Sequence, residues 1–242
     1  MAWKKVVRYH NLPMKPKDLK FPFSWEERKP FLQEKILYIP NYYFQHEVWN
    51  MPEFSEKEMF GNSLPVNIEF CSGNGEWIIN KALENPFVNW IAVEKNFDRV
   101  RKIWSKRENN QIKNLLIVSG YAEEFVSYYL KKQTIANVFV NFPDPWPKDK
   151  HAKNRLFQES FVKKLAQRMT KNSMAYVVTD DEAYLHQIIE VMKASKLWQP
   201  YFKAPYYIKN PSDYGESWFE RLWKGKGKNI FHTYFVNQGV IL

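Results

Sequence analysis

The sequence predicts an α/β fold: a doubly wound, mostly parallel sheet with helices on both faces, Rossmann-like in outline. Three observations carry this expectation. From residue 66, short apolar runs rich in Val and Ile alternate five times with segments of helical period. The first strand-to-helix junction is a glycine turn, Ser72-Gly73-Asn74-Gly75. The other junctions begin on polar residues, which in such a sheet mark the ligand-binding edge beyond the carboxyl ends of the strands.

Residues 1–64 precede this pattern. They are punctuated by proline and rich in aromatics (Trp3, Phe21, Phe23, Trp25, Phe31, Tyr42, Tyr43, Phe44, Trp49), with no clean period. We read them as an extension packed on a core domain of residues 65–242, with the aromatics as packing residues. The first core strand is Val66 to Cys71, and a helix follows from about Glu76. Trp90 to Val93 is the second strand, closed by Glu94; Phe97, Val100, Ile103 and Trp104 then share one helical face. Leu115 to Val118 and Ala136 to Val140 are the third and fourth strands. Phe157, Phe161, Leu165 and Met169 recur every four residues and predict a helix starting near Asn154. Ala175 to Val178 is the fifth strand, and Thr179 or Asp180 is the expected cap of a helix that buries Tyr184, Leu185, Ile188 and Met192. The alternation from Ile230 to Val236 supplies a last strand.

Composition narrows the function. The chain has 242 residues, 45% hydrophobic, 17% aromatic, with 8 glycines, which excludes collagen-like and low-complexity chains. A single cysteine, Cys71, excludes an intrachain disulfide and any multi-cysteine zinc site, and no metal is expected. No apolar run approaches the ~20 residues of a membrane span, and the N-terminus lacks a signal-peptide pattern; a cytoplasmic globular protein without a membrane or an obligate protein partner is expected. The net charge is +10, and residues 148–242 carry 16 basic against 9 acidic residues, so most of the excess is concentrated there. A localised basic excess suits a polyanion, with tRNA or another RNA the natural candidate.

The strand ends then supply the chemistry. At the glycine turn, a third glycine of a dinucleotide fingerprint is missing (Ile78 stands there) and no Gly-Lys-Ser/Thr follows. That leaves a compact adenosyl ligand without a pyrophosphate. Glu94, 19 residues past Gly75 and at the next strand end, is placed to accept from ribose hydroxyls. The most informative stretch is Asn141-Phe142-Pro143-Asp144-Pro145-Trp146-Pro147-Lys148. Three prolines in five positions stiffen the loop and hold one carboxylate, Asp144, between two rings. Rings stack on a purine, and a carboxylate accepts from the N1–H and N2–H₂ edge of guanine. Lys148, Lys150, His151, Lys153 and Arg155 follow, a cluster suited to phosphates, and Arg221, Lys224, Lys226 and Lys228 form a second basic run.

These residues resemble the bacterial tRNA (guanine-N7-)-methyltransferases over roughly residues 66–236. The Phe142-to-Trp146 loop with its basic run carries the resemblance, joined by Thr179-Asp180 with Tyr184 and by Ser217 to Glu220. The resemblance implies transfer of a methyl group from S-adenosylmethionine to N7 of a variable-loop guanosine of tRNA, at position 46, giving 7-methylguanosine. It also implies a class I methyltransferase sheet of seven strands ending in an antiparallel hairpin. Carried onto this chain, it makes Glu69, Gly73, Gly75, Glu94, Ala122 and Asp144 cofactor-binding, and Asp144 catalytic as well. Lys148, Asp180, Ser217, Trp218, Phe219 and Glu220 become substrate-binding. The chain departs from the family at Cys71, where an earlier glycine is usual, at Tyr121-Ala122, where an aspartate precedes the alanine, and at Ser217, where threonine is usual. Two other readings compete: a methyltransferase of exocyclic amines, from the likeness of Asn141-Phe142-Pro143-Asp144 to Asn-Pro-Pro-Tyr loops, and a non-catalytic RNA-binding protein on the same fold. A nicotinamide-dependent oxidoreductase is disfavoured by Ile78 and the basic tail.

Overall fold

The computed structural model describes residues 13–21, 28–41, 43–212, 214–215 and 217–239. Trp3, Phe23, Trp25 and Tyr42 therefore lie outside the described residues. One sheet of ten strands organises the rest: β1 (Phe31–Gln33), β2 (Ile36–Tyr38), β3 (Val66–Phe70), β4 (Asn89–Glu94), β5 (Leu115–Ser119), β6 (Ile135–Asn141), β7 (Met169–Thr179), β8 (Trp198–Pro200), β9 (Ile208–Lys209) and β10 (Phe231–Asn237). Their spatial order is β1-β2-β5-β4-β3-β6-β7-β10-β8, with β9 pairing β10. The central strands β5, β4, β3, β6 and β7 are parallel, and β10 inserts antiparallel between β7 and β8. The seven strands from β5 to β8 are the sheet that the family resemblance implies, six of them read from the residue pattern and β8 not; the hairpin β1–β2 and the short β9 raise the count to ten.

The helices are α1 (Glu76–Glu84), α2 (Phe97–Asn109), the single turn α3 (Ala122–Glu124) running into a π-helical turn at Phe125–Tyr129, α4 (Glu159–Arg168), α5 (Glu182–Ala194) and α6 (Trp218–Gly225). They bury two separate apolar layers. Ile78, Ile79, Val100, Ile103 and Trp104 of α1 and α2 close over Trp90, Leu115 and Ile117 on one face. Phe125, Phe161, Leu165, Leu185 and Ile188 close over Ile68, Val138 and Val177 on the other. Strands buried on both faces read as continuous apolar runs rather than alternation, which is why they stood out in the sequence.

Three local expectations are corrected. The helix expected from Asn154 begins at Glu159; residues 149–154 form a 3₁₀ segment instead, and Leu156 and Phe157 turn inward to the core before the helix starts. Met169, placed at the end of that helical face, opens β7, because the strand starts well before the apolar run that marked it. The cap of α5 is Asp181, whose carboxylate accepts from the Tyr184 amide at 2.8 Å; Thr179 Oγ1 accepts from the Asp181 amide instead. Asp180 is not used as the cap; its side chain is only 12% exposed and pairs with Lys228.

The N-terminal stretch does more than lie against the core. β2 pairs parallel with β5, Ile36 opposite Ile117 and Tyr38 opposite Ser119, so it extends the sheet by a parallel strand. Arg107, buried on α2, fixes this hairpin by donating to the carbonyls of Glu34 and Lys35 at 2.8 and 2.9 Å. Strands of three residues show no period, so the sequence offered no signal for them.

Candidate active site

The carboxyl ends of β3 to β7 surround a cavity of about 820 Å³, within the size range of small-molecule sites. Of the glycine turn after β3 only Cys71 lines it; Gly73 and Gly75 lie behind. Cys71, Gly73 and Gly75 all sit in the left-handed region, at φ +60°, +56° and +76°. Gly75 also lies so close to α2 that a Cβ there would stand 2.7 Å from Ile103 Cγ1, and one on Gly73 would stand 3.0 Å from the Phe219 ring. Both glycines are therefore required by backbone shape and close approach. Cys71 takes the left-handed conformation with a side chain, at a cost of about 1–2 kcal/mol.

Glu94, at the end of β4, is 3% exposed and lines the cavity. Its Oε2 accepts the Gly73 amide and its Oε1 accepts the Asn96 amide, both at 2.8 Å, so it ties the turn to the next strand end. Burial raises its pKa, opposed by these two donors and by Arg99. Each oxygen retains a second acceptor lone pair, which suits a pair of ribose hydroxyls. Ala122, with Tyr121 and Glu123, forms the wall after β5. The cavity's size and the Glu94 carboxylate at the end of β4 fit an adenosyl group carrying a short arm.

Glu69 is placed otherwise than expected. It does not line the cavity; β3 runs on through Phe70, and the Glu69 side chain is 2% exposed beneath the site. There Asn141 Nδ2 donates to its Oε1 at 2.7 Å, and the Tyr214 hydroxyl donates to Asn141 Oδ1 at 2.9 Å. Desolvation pushes the Glu69 pKa up to about 8, so the carboxyl is mostly protonated at neutral pH. A carboxyl whose pKa rises on folding stabilises the fold at low pH and loses that contribution as pH rises toward the folded value. Stability should therefore fall between about pH 5 and 8, and Glu69→Gln, which mimics the protonated group, should flatten that slope in urea titrations at the two pH values. An unchanged slope would show that Glu69 is ionised in the native state.

The loop after β6 carries the remaining chemistry. Phe142 and Trp146 both adopt left-handed φ, +52° and +42°, an unfavourable state for aromatic residues that the surroundings must hold. Arg155 holds it: Nε donates to the Pro145 carbonyl at 2.7 Å, Nη2 to the Trp146 carbonyl at 3.3 Å, and Nη1 to Gln187. Arg155 was grouped with the phosphate-binding cluster, and its donors are instead committed to this loop. Asp144 stands at the rim with its side chain 63% exposed, and its Oδ2 accepts from Lys95 Nζ at 3.1 Å. Lys95 also lies 5.8 Å from the Trp146 ring. Phe142, Asp144 and Trp146, the acid and its two flanking rings in the sequence, all line the cavity. Lys95 is the partner the sequence reading missed, although it directly follows Glu94.

The remaining predicted residues divide. Asp180 lines the cavity and pairs with Lys228. Lys148 is exposed beside the cavity-lining Pro147. Phe219 lines the cavity over Gly73, and Trp218 is 40% exposed next to it. Ser217 and Glu220, expected to touch substrate, are buried. Ser217 Oγ accepts the Glu220 amide at 3.1 Å as the N-cap of α6, and Glu220 pairs with Lys224 at 2.7 Å. The Ser-x-x-Glu spacing there is a helix-start signal, and these two side chains position Trp218 and Phe219.

A family model described as "Putative methyltransferase" matches residues 63–233. Proteins named tRNA (guanine-N(7)-)-methyltransferase are similar over nearly the whole chain: one from Chlamydia caviae is 48% identical over 93% of this chain and 99% of its own length, and one from Chlamydia pneumoniae is 46% identical over 94% and 100%. A more distant one from Rubrobacter xylanophilus is 26% identical over 84% and 91%. Among solved structures, a 16S rRNA (adenine(1408)-N(1))-methyltransferase from Catenulisporales acidiphilia, a mutant solved with cosubstrate SAM, superposes with a TM-score of 0.53 at 16% identity over 72% of this chain and 85% of its own. The aminoglycoside resistance methyltransferase NpmB1 does so with a TM-score of 0.52 at 15% identity over 78% and 95%. These two similarities establish the fold.

Proposed function

The chain belongs to the tRNA (guanine-N(7)-)-methyltransferase family, and on that premise we propose how its cavity performs the reaction and where on tRNA it acts. The enzyme transfers a methyl group from S-adenosylmethionine to N7 of a guanosine in tRNA. The finer assignment is guanosine 46, in the variable loop, where the product is 7-methylguanosine. S-adenosylmethionine supplies an electrophilic methyl group on a sulfonium.

Guanine N7 carries an in-plane lone pair and needs no deprotonation to attack. The chain's task is therefore alignment, worth up to about 7–11 kcal/mol when complete. In this assignment Glu94 accepts from the ribose hydroxyls, Gly73 and Ala122 give close backbone approach, and Phe142, Trp146 and Phe219 exclude water and present ring faces. Asp144 keeps Lys95 on Oδ2 while accepting from the guanine N1–H and N2–H₂ edge. As N7 gains its methyl group the purine becomes cationic and those N–H groups become stronger donors. The Asp144 contact therefore strengthens in the transition state, which is the condition for catalysis. The observation that supports this reading is that Asp144, Phe142 and Trp146 line the same cavity as Glu94.

The test is incubation of the purified chain with unmodified tRNA transcript and labelled methyl donor, followed by nucleoside analysis. Label in 7-methylguanosine at position 46 supports the reading; label in an exocyclic-amine product, or none, overturns it. The basic rim gives a second expectation. Lys148→Ala should weaken tRNA binding and reduce the slope of log affinity against log salt by about 0.7–0.9, one phosphate contact, while leaving cofactor affinity unchanged. An unchanged salt slope would take Lys148 off the RNA interface.

A further inference from the structure

Because β2 runs parallel to β5, its carboxyl end falls on the same edge of the sheet as the active site. Beyond that end lies a second cavity, of about 550 Å³, between Asn41, Tyr43, Phe44 and His46 on one side and the α3 turn on the other. Tyr121 and Glu123 line both cavities, so the two adjoin. The second cavity has ring walls. Phe44 is 84% exposed and Tyr128 44%, and His46 stacks on Tyr128 with ring centres 4.6 Å apart and planes 13° off parallel. Its other walls are carboxylates: Glu124 Oε2 is buried and has no hydrogen-bond partner among the described residues. Among the described residues the lining contains no lysine or arginine.

We propose that this second cavity holds an unpaired, amine-bearing nucleobase of the RNA substrate, stacked on Phe44 or Tyr128 with its amino group donating to Glu124 or Glu123. Flat ring faces combined with carboxylate oxygens select a planar π-system that carries N–H donors. Two carboxylates, with no lysine or arginine among the described lining residues, disfavour a phosphate, so the base rather than the backbone enters. The backbone meets positive charge at the edge, where Lys164 Nζ lies 5.8 Å from the Tyr128 ring centre. The position fits an RNA that already occupies the neighbouring cavity, and in that respect the inference rests on the function proposed above.

The experiment uses the full chain and an unmodified tRNA transcript. Phe44→Ala removes an exposed ring without opening the core, and Glu124→Gln removes the charge while keeping the shape. Each is expected to weaken tRNA binding about tenfold, in the range of one lost base–aromatic contact. Affinity for S-adenosylhomocysteine, measured by calorimetry, should stay at the wild-type value. Abasic substitutions scanned through the unpaired nucleotides should then identify one position that weakens wild type about tenfold and leaves Phe44→Ala unaffected. Wild-type tRNA affinity in both variants, additive losses at every abasic position, or a loss of cofactor affinity would each overturn the inference. If the wild-type chain itself placed no methyl group on a tRNA guanine, the proposed function would fall and take this inference with it. If it did, and the cavity variants still bound tRNA normally, only the second-base assignment would fall.

Discussion

Asp144→Ala should lower the rate of methyl transfer by about 100- to 1000-fold while changing tRNA affinity no more than about threefold. The magnitude follows from what the carboxylate does. It is one contact among many to the RNA, so its share of binding is small, yet it meets the part of the base where positive charge develops. The fold should be unaffected, because the side chain is more than half exposed and its ion pair is with Lys95, itself nearly half exposed. An exposed pair of this kind contributes at most about 1 kcal/mol. Asp144→Asn keeps one acceptor and loses the charge, and should fall between wild type and Asp144→Ala. Single-turnover kinetics with saturating tRNA separate the terms: a loss confined to tRNA affinity would place Asp144 in binding rather than catalysis.

Arg155→Ala should destabilise the chain by about 2–3 kcal/mol and reduce turnover at least about tenfold, although Arg155 does not face the cofactor. Its guanidinium satisfies two loop carbonyls and Gln187, and sits 5.3 Å over the Tyr184 ring. Without it, the left-handed Phe142 and Trp146 lose the contacts that hold them. The loop relaxes, and Asp144 moves with it. Arg155→Lys should not rescue, because an ammonium cannot reproduce the planar fork that reaches both carbonyls. Urea denaturation and steady-state kinetics on the two variants check this; Arg155→Lys with wild-type stability and turnover would show that charge alone suffices.

How much of this was legible depends on the kind of signal each residue carries. The buried parallel strands were legible because two-sided burial makes them continuous apolar runs, as in Leu115 to Val118. The active-site edge followed from topology, and with it Glu94 and Asp144; Ala122 and Asp180 followed from the family resemblance, and all four line the cavity. The position of Glu69 was not legible, since a strand-end carboxylate reads the same whether it faces a ligand or, as here, Asn141. Arg155 was grouped with its lysine neighbours because spacing along the chain does not reveal that its donors turn back onto the proline loop. Ser217 and Glu220 carried two signals at once, a family motif and a helix cap, and the structure places them in the cap. The β1–β2 hairpin, and with it the second cavity, left no pattern at all.

Methyl transfer depends on a carboxylate that takes hold of the guanine N1 and N2 edge so that N7 points at the donor. Replacing the target guanosine by inosine tests this most directly, because inosine keeps N7 and N1–H and lacks only the 2-amino group. Loss of one hydrogen bond to a charged acceptor should slow transfer by about 10- to 150-fold in the wild-type enzyme and add little to the defect of Asp144→Ala. Equal rates on guanosine and inosine in the wild type would contradict the account.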